Sequence, residues 1–254
     1  SAMAHWDEFC ETVSSLVDLK PGDSVIEFGS NDGYLIGQFQ KRGAKVAGID
    51  PSPVMAEVAN KNGVFTVNDF LSQRSMKVAI KKVGKARVIC GNNVFNHIER
   101  INEAVSTIKA GLEKNGYLVV EVPSLRDTIQ KYLFDMIFHE HVSTFSIKSI
   151  DYLFKKHGLY IVKVEDIPYH GGSHRIYAIA DPKKYNKEQV LKIIAKEESA
   201  KLFMVDTYKK FMAKIIRDKN ECLSKLYSLK KAGKKIAAVG AGARSNTLLN
   251  FYRL

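Results

Sequence analysis

The stretch Val25-Ile26-Glu27-Phe28-Gly29-Ser30-Asn31-Asp32-Gly33 decides the fold class. It joins an apolar run, residues 24–28, which we predict to be a strand, to an amphipathic segment, residues 34–42, which we predict to be a helix. Glycines in such a turn let backbone N–H groups approach a ligand closely, and the N-terminus of the following helix favours a negative group. The pattern therefore predicts a ligand site where the first strand ends.

The same alternation of short apolar runs and amphipathic segments continues to Val122. We predict further strands at 45–49, 64–67, 86–90 and 117–122, with helices at 53–61, 72–83 and 103–113. Short strands separated by helices of about ten residues are typical of βαβ units and a parallel sheet with right-handed crossovers. The sequence therefore predicts an α/β fold.

The pattern changes after Pro123. A polar-aromatic insertion covers residues 125–145, a helix closed by Gly158 follows, and two β-rich runs, 160–164 and 175–180, are predicted to pair antiparallel at the sheet edge. No Gly or Pro occurs from Lys187 to Lys231, where apolar residues recur every three or four positions, so we predict one long amphipathic helix or a helical pair. Because residues 235–243 then begin a new strand and glycine turn, the predicted domains are 1–182, 183–232 and 233–254.

Composition excludes several classes of protein. The 254 residues are 45% hydrophobic and 10% aromatic, which excludes a disordered chain. No apolar run approaches the roughly 18 residues of a membrane span, so we expect a soluble protein. Residues 1–3 resemble a cloning scar, and we expect no signal peptide. Three widely separated cysteines exclude a disulfide framework and a four-cysteine zinc site, and they favour a reducing cytoplasm.

The basic charge is concentrated in one segment. Of the net charge of +12, residues 183–235 carry +10, from 15 Lys and one Arg against six acids. Such a segment fits a nucleic-acid surface or a solvated helix face, and we favour the solvated face. We therefore expect a small-molecule partner and neither a membrane nor a nucleic-acid partner.

Two carboxylates near the first turn indicate the cofactor. Asp50 follows Gly29 by 21 residues, at the end of the second predicted strand, where an acid accepts both hydroxyls of a ribose. The spacing Gly29-x-x-x-Gly33 is not the G-x-G-x-x-G of dinucleotide sites, and Glu27 would repel a pyrophosphate. It suits a cationic ligand that carries an amino acid, such as S-adenosylmethionine (SAM). The alternative is a plain βα turn in which Asp50 caps a helix.

This turn resembles motif I, E-x-G-x-x-x-G, of class I SAM-dependent methyltransferases. Asn68-Asp69-Phe70 resembles their adenine-binding turn, and Asn92-Asn93-Val94 resembles the segment that faces the methyl donor. The resemblance implies a Rossmann-like fold, with a mostly parallel seven-stranded sheet and an antiparallel edge strand, and SAM as cofactor with S-adenosylhomocysteine (SAH) as product. The cofactor-binding candidates are Glu27, Gly29, Ser30, Asn31, Gly33, Tyr34, Asp50, Pro51, Asn68, Asp69, Phe70, Asn92 and Asn93.

The cluster His139-Glu140-His141 admits three interpretations. In a strand, its two histidines would share one face and could bind zinc with His170 or His174. They could also form a structural pair. We prefer a general base oriented by a neighbouring carboxylate, and we predict no metal site.

The segment around this cluster resembles a known family. Phe138-His139-Glu140-His141-Val142-Ser143-Thr144-Phe145-Ser146 is similar to the Y-H-E-H-x-S-Y-F-S signature of nucleotide-sugar C-methyltransferases, which methylate a carbon of NDP-linked 4-keto-deoxysugars. Three further segments are similar to family motifs. They are residues 29–35, residues 170–177 (H-G-G-S-x-R-x-Y in the family) and residues 239–250 (G-A-x-A-K-G-N-T-L-L-N in the family). The resemblance covers most of residues 25–250.

The resemblance implies roles for individual residues. His141 would abstract the proton at sugar C3, Glu140 would hold or polarise this base, and His97 would stabilise the enolate oxygen. An alternative for His97 is a surface position at a helix N-terminus. His174 and Arg175 are candidates for the diphosphate. The substrate-binding candidates are Phe138, His139, His170, Gly172, Ser173, His174 and Arg175.

The sequence departs from the family pattern in three ways. We expect these 254 residues to lack the cysteine-rich zinc domain that usually begins these proteins and to include only the start of their C-terminal domain, and the first tyrosine of the signature is Phe138. Methylation of oxygen or nitrogen on a sugar or other small molecule therefore stays open. So does a non-catalytic module that binds SAM or a sugar nucleotide. A nucleic-acid methyltransferase is less favoured, because Asn92-Asn93-Val94-Phe95 stands where such enzymes commonly carry N/D-P-P-Y/F.

Overall fold

A computed structural model describes residues 2–240 and 242–254. Ser1, in the predicted cloning scar, and Ala241, in the predicted C-terminal glycine turn, lie outside the described residues. The strands are β1 (Ser24–Phe28), β2 (Lys45–Asp50), β3 (Thr66–Asn68), β4 (Ala86–Asn92), β5 (Leu112–Pro123), β6 (Tyr160–Ile167) and β7 (Ser173–Ile179). The helices are α1 (Ala2–Leu16), α2 (Tyr34–Lys41), α3 (Pro53–Lys61), α4 (Gln73–Val83), α5 (Ile101–Gly111), α6 (Leu125–Gln130), α7 (Ile147–Lys156), α8 (Lys187–Ser199), α9 (Val205–Lys231) and α10 (Ala243–Tyr252).

The seven strands form one sheet in the order β3-β2-β1-β4-β5-β7-β6. Strands β1 to β5 pair in parallel, and β7 runs antiparallel to both β5 and β6. The predicted α/β fold and the antiparallel pair at the sheet edge are confirmed. The antiparallel strand itself is β7, one position in from the edge, and β6 is the outermost strand.

Both faces of the sheet are covered, which explains why its strands are apolar throughout rather than alternating. Along β1, Ile26 and Phe28 pack into the core on one face, while Val25 packs into the core on the other. Because all five residues of β1 are buried, the strand holds the turn that follows it in a fixed position. The carboxyl ends of β1, β2 and β4 therefore lie together at one edge of the sheet.

Helix α1 was missed by the sequence analysis. Its buried residues are Phe9, Cys10 and Val13, and buried Val17 follows just after the helix. Successive members of this set are one, three and four residues apart, and all of them pack on the face of the sheet that carries Val25. This helical spacing was the available signal. The helix places its first two turns over the carboxyl ends of the strands.

A buried charge network ties α1 to the sheet, and it corrects one prediction. The side chain of Arg175 is 1% exposed. Its Nε donates to Glu121 Oε1 at 2.7 Å, and its Nη1 and Nη2 donate to the two oxygens of Glu8 at 3.0 and 2.7 Å. His5 Nε2 lies 2.7 Å from the other oxygen of Glu121. The prediction that Arg175 binds a diphosphate is wrong, because its guanidinium is buried and is already engaged by two carboxylates, those of buried Glu121 and exposed Glu8.

The neighbours of Arg175 on β7 are corrected for the same reason. His174 is buried, with its Nδ1 2.8 Å from Asp166 Oδ1, and buried Ser173 donates its hydroxyl to the Tyr169 carbonyl. Gly172 is also buried and has φ +136°, and a Cβ there would lie 2.7 Å from Cγ of Asp127. Ser173 and His174 belong to β7, which lies between β5 and β6, and Gly172 immediately precedes it.

In the C-terminal part, the structure decides between the two alternatives for the basic segment and contradicts the predicted strand that follows it. The basic segment is a helical pair, α8 and α9, rather than one long helix. The strand predicted from residue 235 is wrong over residues 235–240, which lie outside any helix or strand. An isolated apolar segment cannot form a strand without a neighbour to complete its hydrogen bonds, and residues 235–240 pair with no strand of the described chain.

The structure bears on two expectations drawn from composition, those about membrane spans and cysteines. No helix within residues 2–240 and 242–254 is both long enough and apolar enough to cross a membrane. All three cysteines are free, and burial raises the pKa of the Cys10 thiol to about 11. At neutral pH this thiol is therefore protonated.

Replacing Arg175 with glutamine should destabilise the protein, because Glu121 then stays buried without its charged partner. We expect urea denaturation to show a loss of about 3–5 kcal/mol in the free energy of unfolding. Arg100→Gln is the control, since Arg100 and its partner Glu103 are 81% and 70% exposed. It should cost less than about 1 kcal/mol. Equal, small losses in both variants would contradict this assignment.

Candidate active site

The Asp50 carboxylate joins the ends of β1 and β2. Its Oδ2 accepts the N–H of Asn31 at 2.8 Å, and its Oδ1 accepts the N–H of Ser52 at 2.9 Å. The Asn68 amide donates to the Asp50 carbonyl at 3.0 Å, which ties in β3 as well. Each Asp50 oxygen keeps a second lone pair, so the predicted contact with two ribose hydroxyls stays a prediction that this geometry permits.

The turn after β1 approaches the segment after β4 so closely that only glycine fits. Gly29 has φ +67°, and a Cβ built on it would lie 2.3 Å from Val94 Cγ2. Asn31 and Gly33 are also left-handed, with φ 50° and 79°. These three positions turn the chain sharply from β1 into α2, and they leave open space on both sides of Gly29.

Two cavities meet at Gly29. One, of about 340 Å³, has a mixed lining whose polar side chains include Glu27, Ser30, Asn31, Tyr34 and Asn92, and we call it the polar cavity. The other, of about 430 Å³, is mostly apolar and is lined by Pro51, Phe70, Leu71, Val94, His97 and Ile98 among others. The structure thus brings most of the predicted cofactor residues to one place, with a polar part and an apolar part.

The polar cavity is bordered by buried atoms that lack hydrogen-bond partners within the described part of the chain. They are Glu27 Oε2, the Ser30 hydroxyl and both amide atoms of Asn92, and Asn93 Oδ1, next in the chain, is in the same state. Buried polar groups are almost always hydrogen-bonded, so such a concentration indicates a ligand with several donors and acceptors. The amino-acid part of SAM has this chemistry, and the apolar cavity beside it suits a purine ring.

Burial changes the charge of Glu27. Desolvation raises the pKa of its carboxyl to about 8, and the negative charges of Asp50 and Asp32 add to the shift, while the Ile36 N–H opposes it. At neutral pH the free site therefore holds mostly a neutral carboxylic acid. A cationic ligand beside it would favour the carboxylate and lower this pKa.

Asp69 and Phe70 take different parts in the predicted adenine-binding turn. Asp69 Oδ1 accepts the Phe70 N–H at 2.9 Å, and its Oδ2 pairs with Arg74 at 2.9 Å. The Phe70 ring is 73% exposed at the border of the apolar cavity. An exposed aromatic face in this position can stack on a base.

His141 is held by a backbone carbonyl. Its Nδ1 lies 2.7 Å from the carbonyl oxygen of Met136. A carbonyl only accepts, so Nδ1 carries the proton, and in the neutral ring Nε2 is left with a free lone pair. This is the tautomer that a general base requires. From the sequence, Glu140 was predicted to hold or polarise His141, and the role of the Met136 carbonyl was not predicted.

The surroundings of His141 keep it neutral at physiological pH. Burial lowers the pKa of His141, the Met136 carbonyl and Glu140 raise it, and the neighbouring His97 lowers it. The His97 ring lies 4.8 Å from the His141 ring, and the Phe138 ring lies 4.2 Å from it. The structure therefore brings together three of the predicted acceptor-side residues.

Glu140 and His139 lie farther from this group. Residues 138–141 form a turn, closed by the His141 N–H donating to the Phe138 carbonyl at 2.9 Å, and not the strand that a zinc site would need. His139 is 83% exposed, and its Nε2 lies 3.9 Å from Glu140 Oε1. Within the described residues, no three His, Cys, Asp or Glu side chains cluster closely enough to hold a metal.

Sequence reasoning missed several residues at the site. Asn96 is buried, neither amide atom has a partner in the described chain, and it borders a water-sized cavity of about 10 Å³ together with His141 and Ser143. Met3 and Trp6 of α1 line the polar cavity. Asn96 follows directly on a predicted cofactor segment, which was the available signal, whereas Met3 and Trp6 needed α1 to be recognised.

The loop after β6 brings His170 to the mouth of the site. His170 is exposed and has φ 52°, and its pKa is lowered by desolvation and by the charge of Arg244. Tyr169 stacks on His5 of α1 at 4.2 Å between ring centres, with Trp6 against its edge at 5.4 Å. Aromatic rings from α1 and from this loop thus form one wall of the opening.

Comparison with known proteins agrees with this geometry. Residues 3–164 match the family model of a methyltransferase domain, and residues 168–254 match that of a C-methyltransferase C-terminal domain. The chain belongs to the methyltransferase family. The second match covers the residues that carry α8, α9 and α10, so the helical part of this methyltransferase belongs to a recognised unit.

A curated relative extends the match along the chain. C-methyltransferase NovU from Streptomyces niveus is 33% identical over 251 residues, which cover 98% of this chain. The methyltransferase described here spans 60% of the length of NovU. Similarity to a C-methyltransferase is thereby confirmed along nearly the whole chain.

Solved structures share the fold. Magnesium protoporphyrin IX methyltransferase (ChlM) from Synechocystis PCC 6803 with bound SAH has a TM-score of 0.54 at 17% identity, over 71% of this chain and 83% of that chain. A SAM-dependent methyltransferase from Clostridium acetobutylicum has a TM-score of 0.55 at 11% identity, over 69% and 91%. The class I SAM-dependent methyltransferase fold and SAM as the cofactor are confirmed.

The raised pKa of Glu27 predicts a pH-dependent affinity for SAM. Below pH 8 the carboxyl must lose its proton to pair with the SAM ammonium, so we expect the Kd to fall by up to about tenfold from pH 6.5 to 8. Calorimetric titration across this range measures it. Glu27→Gln is the control: it has no such proton, although the SAM amine, with a pKa of about 8, still titrates. A wild-type profile that parallels the variant would contradict the assignment.

Proposed function

We propose that this methyltransferase moves the methyl group of SAM to a carbon next to a keto group, and that the acceptor is a nucleotide-linked sugar. The observation that carries the proposal is the His141 ring, whose Nδ1 is bound by the Met136 carbonyl and whose Nε2 is free beside His97. A carbon beside a ketone is a weak acid that gives up its proton slowly, so its deprotonation needs a fixed, neutral base. The 33% identity to C-methyltransferase NovU supports a carbon acceptor.

The cofactor would be held by the two cavities that meet at Gly29. Glu27, Ser30 and Asn92 would bind the amino-acid part through the atoms that lack partners, and Asp50 would accept the ribose hydroxyls. Phe70 and Pro51 would enclose the adenine in the apolar cavity. When bound, SAM supplies an electrophilic methyl group on a sulfonium.

The proton step belongs to His141. Its Nε2 would take the proton from the carbon beside the ketone, and the C–H electron pair would move into an enolate. The enolate carbon would then bond to the methyl group as the sulfur–carbon bond breaks, which gives SAH and a branched sugar. The Nδ1–H bond to Met136 would stabilise the imidazolium, because a carbonyl dipole favours the charged ring.

The enolate oxygen needs a hydrogen-bond donor. His97 is a candidate because its ring contacts that of His141, 4.8 Å away. Asn96, beside it in the chain, offers a buried amide without a partner in the described chain, next to the same base. This amide would provide a donor where Phe138 and Thr144 stand in place of the two tyrosines of the family signature.

One observation favours a second candidate, methylation of a sugar oxygen or nitrogen. Phe138 packs 4.2 Å from the base and has no hydroxyl with which to bind or protonate a ketone. With an alcohol or amine acceptor, His141 would still remove the proton, but no carbon acid would form. In both candidates His141 would be the base, but it would break a C–H bond in the first and an O–H or N–H bond in the second.

The His141→Gln variant tests the proposed base. Glutamine can donate an amide N–H to the Met136 carbonyl but cannot take a proton, so we expect kcat to fall by about 10²–10⁴-fold with little change in the Kd for SAM. The assay follows SAH formation with a panel of 4-keto sugar nucleotides. His157→Gln is the control, because His157 lies at the end of α7, where its ring hydrogen-bonds to Ser106 and Asn102, and it should keep nearly full activity. Full turnover by His141→Gln would remove the base assignment.

A further inference from the structure

The loop that carries His141 rests on the C-terminal helices. The Phe134 ring stacks on Tyr252 of α10, with 6.2 Å between ring centres and 2° between planes, and it lies 5.1 Å from Phe251. Tyr132 stacks in the same way on Phe211 of α9, at 5.9 Å and 6°. Three aromatic side chains of α9 and α10 thus pack against Tyr132 and Phe134.

An ion pair continues this contact toward the base. Both Nε and Nη2 of Arg244 lie 2.8 Å from Oδ2 of Asp135. Arg244 is the second residue of α10, and the Asp135 side chain is mostly buried. Two donors of a rigid guanidinium on one carboxylate oxygen fix that carboxylate better than a flexible lysine would.

Asp135 is directly connected to the group that holds the base. It is the middle residue of a 3-10 turn, Phe134–Met136, and the carbonyl of Met136 is the one that accepts the His141 Nδ1–H at 2.7 Å. The Met136 side chain is buried as well. Between the Arg244 guanidinium and the His141 ring there are therefore one ion pair, one peptide unit and one hydrogen bond.

We propose that Arg244 is a positioning residue: through Asp135 it fixes the Met136 carbonyl, and this carbonyl holds His141 in the Nδ1–H tautomer. Without that constraint the turn can rotate its carbonyl away, and a histidine without a partner samples both tautomers. The catalytic consequence rests on the proposed function, in which His141 is the base. The structural consequence does not, and it is measured without turnover.

The direct test is nitrogen-15 NMR of the histidine rings in the whole 254-residue chain, with His141 assigned from the His141→Gln spectrum. In the wild type we expect His141 to be neutral at pH 7.5 and protonated at Nδ1 only. In Arg244→Gln we expect a substantial population with the proton on Nε2. Arg253→Gln is the matched control, since Arg253 is an exposed arginine just past the end of the same helix, and it should leave the His141 tautomer unchanged.

The proposal is overturned if His141 keeps its wild-type tautomer in Arg244→Gln, or if Arg253→Gln changes it equally. Asp135→Asn keeps the test decisive should Arg244→Gln fold poorly, because it removes the same ion pair from the other side. A third readout checks the placement of Arg244: removing its charge should raise the pKa of His170, which that charge lowers.

Kinetics separate this proposal from the proposed function. If both hold, Arg244→Gln lowers kcat by roughly 10- to 100-fold while the KM for SAM stays within a factor of two, and Arg244→Lys recovers part of the loss. If the tautomer changes but turnover does not, Arg244 positions His141 and the base assignment is wrong. If turnover falls while the tautomer stays unchanged, the positioning role is wrong and the base assignment stands.

Discussion

The site depends on one constraint: the ends of β1, β2 and β4 lie side by side, and the Asp50 carboxylate holds the first two together. Asp50 binds the N–H groups of Asn31 and Ser52, so the turn after β1 cannot relax toward its neighbours. Polar side chains on the adjoining segments are then buried without partners in the described chain, Glu27 and Asn92 among them. A fold that leaves such atoms unpaired gives up stability there, and a ligand that pairs them recovers it.

The acceptor side is built differently. Its base lies in a loop outside the sheet, and the loop takes its shape from the C-terminal helices and from the hydrogen bond between His141 and the Met136 carbonyl. On the other side, α1 is fastened by Arg175 and Glu121 and contributes Trp6 to the cofactor cavity. The rigid sheet thus sets the cofactor position, while elements at both ends of the chain shape the space around the acceptor.

The amino-acid sequence predicts the sheet well, and most of the candidate cofactor residues lie together in the structure, because both follow from local patterns. Apolar runs mark β1 to β5, and the Gly29-to-Gly33 turn, with Asp50 after the next strand, follows a spacing imposed by the fold. Arg175 could not be placed in this way: in the sequence it begins a predicted β-rich run beside a histidine, and only the pairing of β7 with β5 buries it against Glu121. The contact with the Met136 carbonyl could not be predicted from side-chain types, because a backbone group makes it and the fold sets the position of that group.

The central claim is that the acceptor is a carbon acid activated by His141. The most direct measurement is deuterium exchange by NMR, with the protein, SAH and an NDP-linked 4-keto-6-deoxysugar in D₂O. Because SAH has no methyl group to transfer, a base that forms the enolate must return a deuteron to the same carbon. We predict exchange beside the ketone with the wild type, and only the enzyme-free background rate with His141→Gln. Background exchange with the wild type, on an acceptor that it methylates with SAM, would contradict carbon methylation and favour an oxygen or nitrogen acceptor.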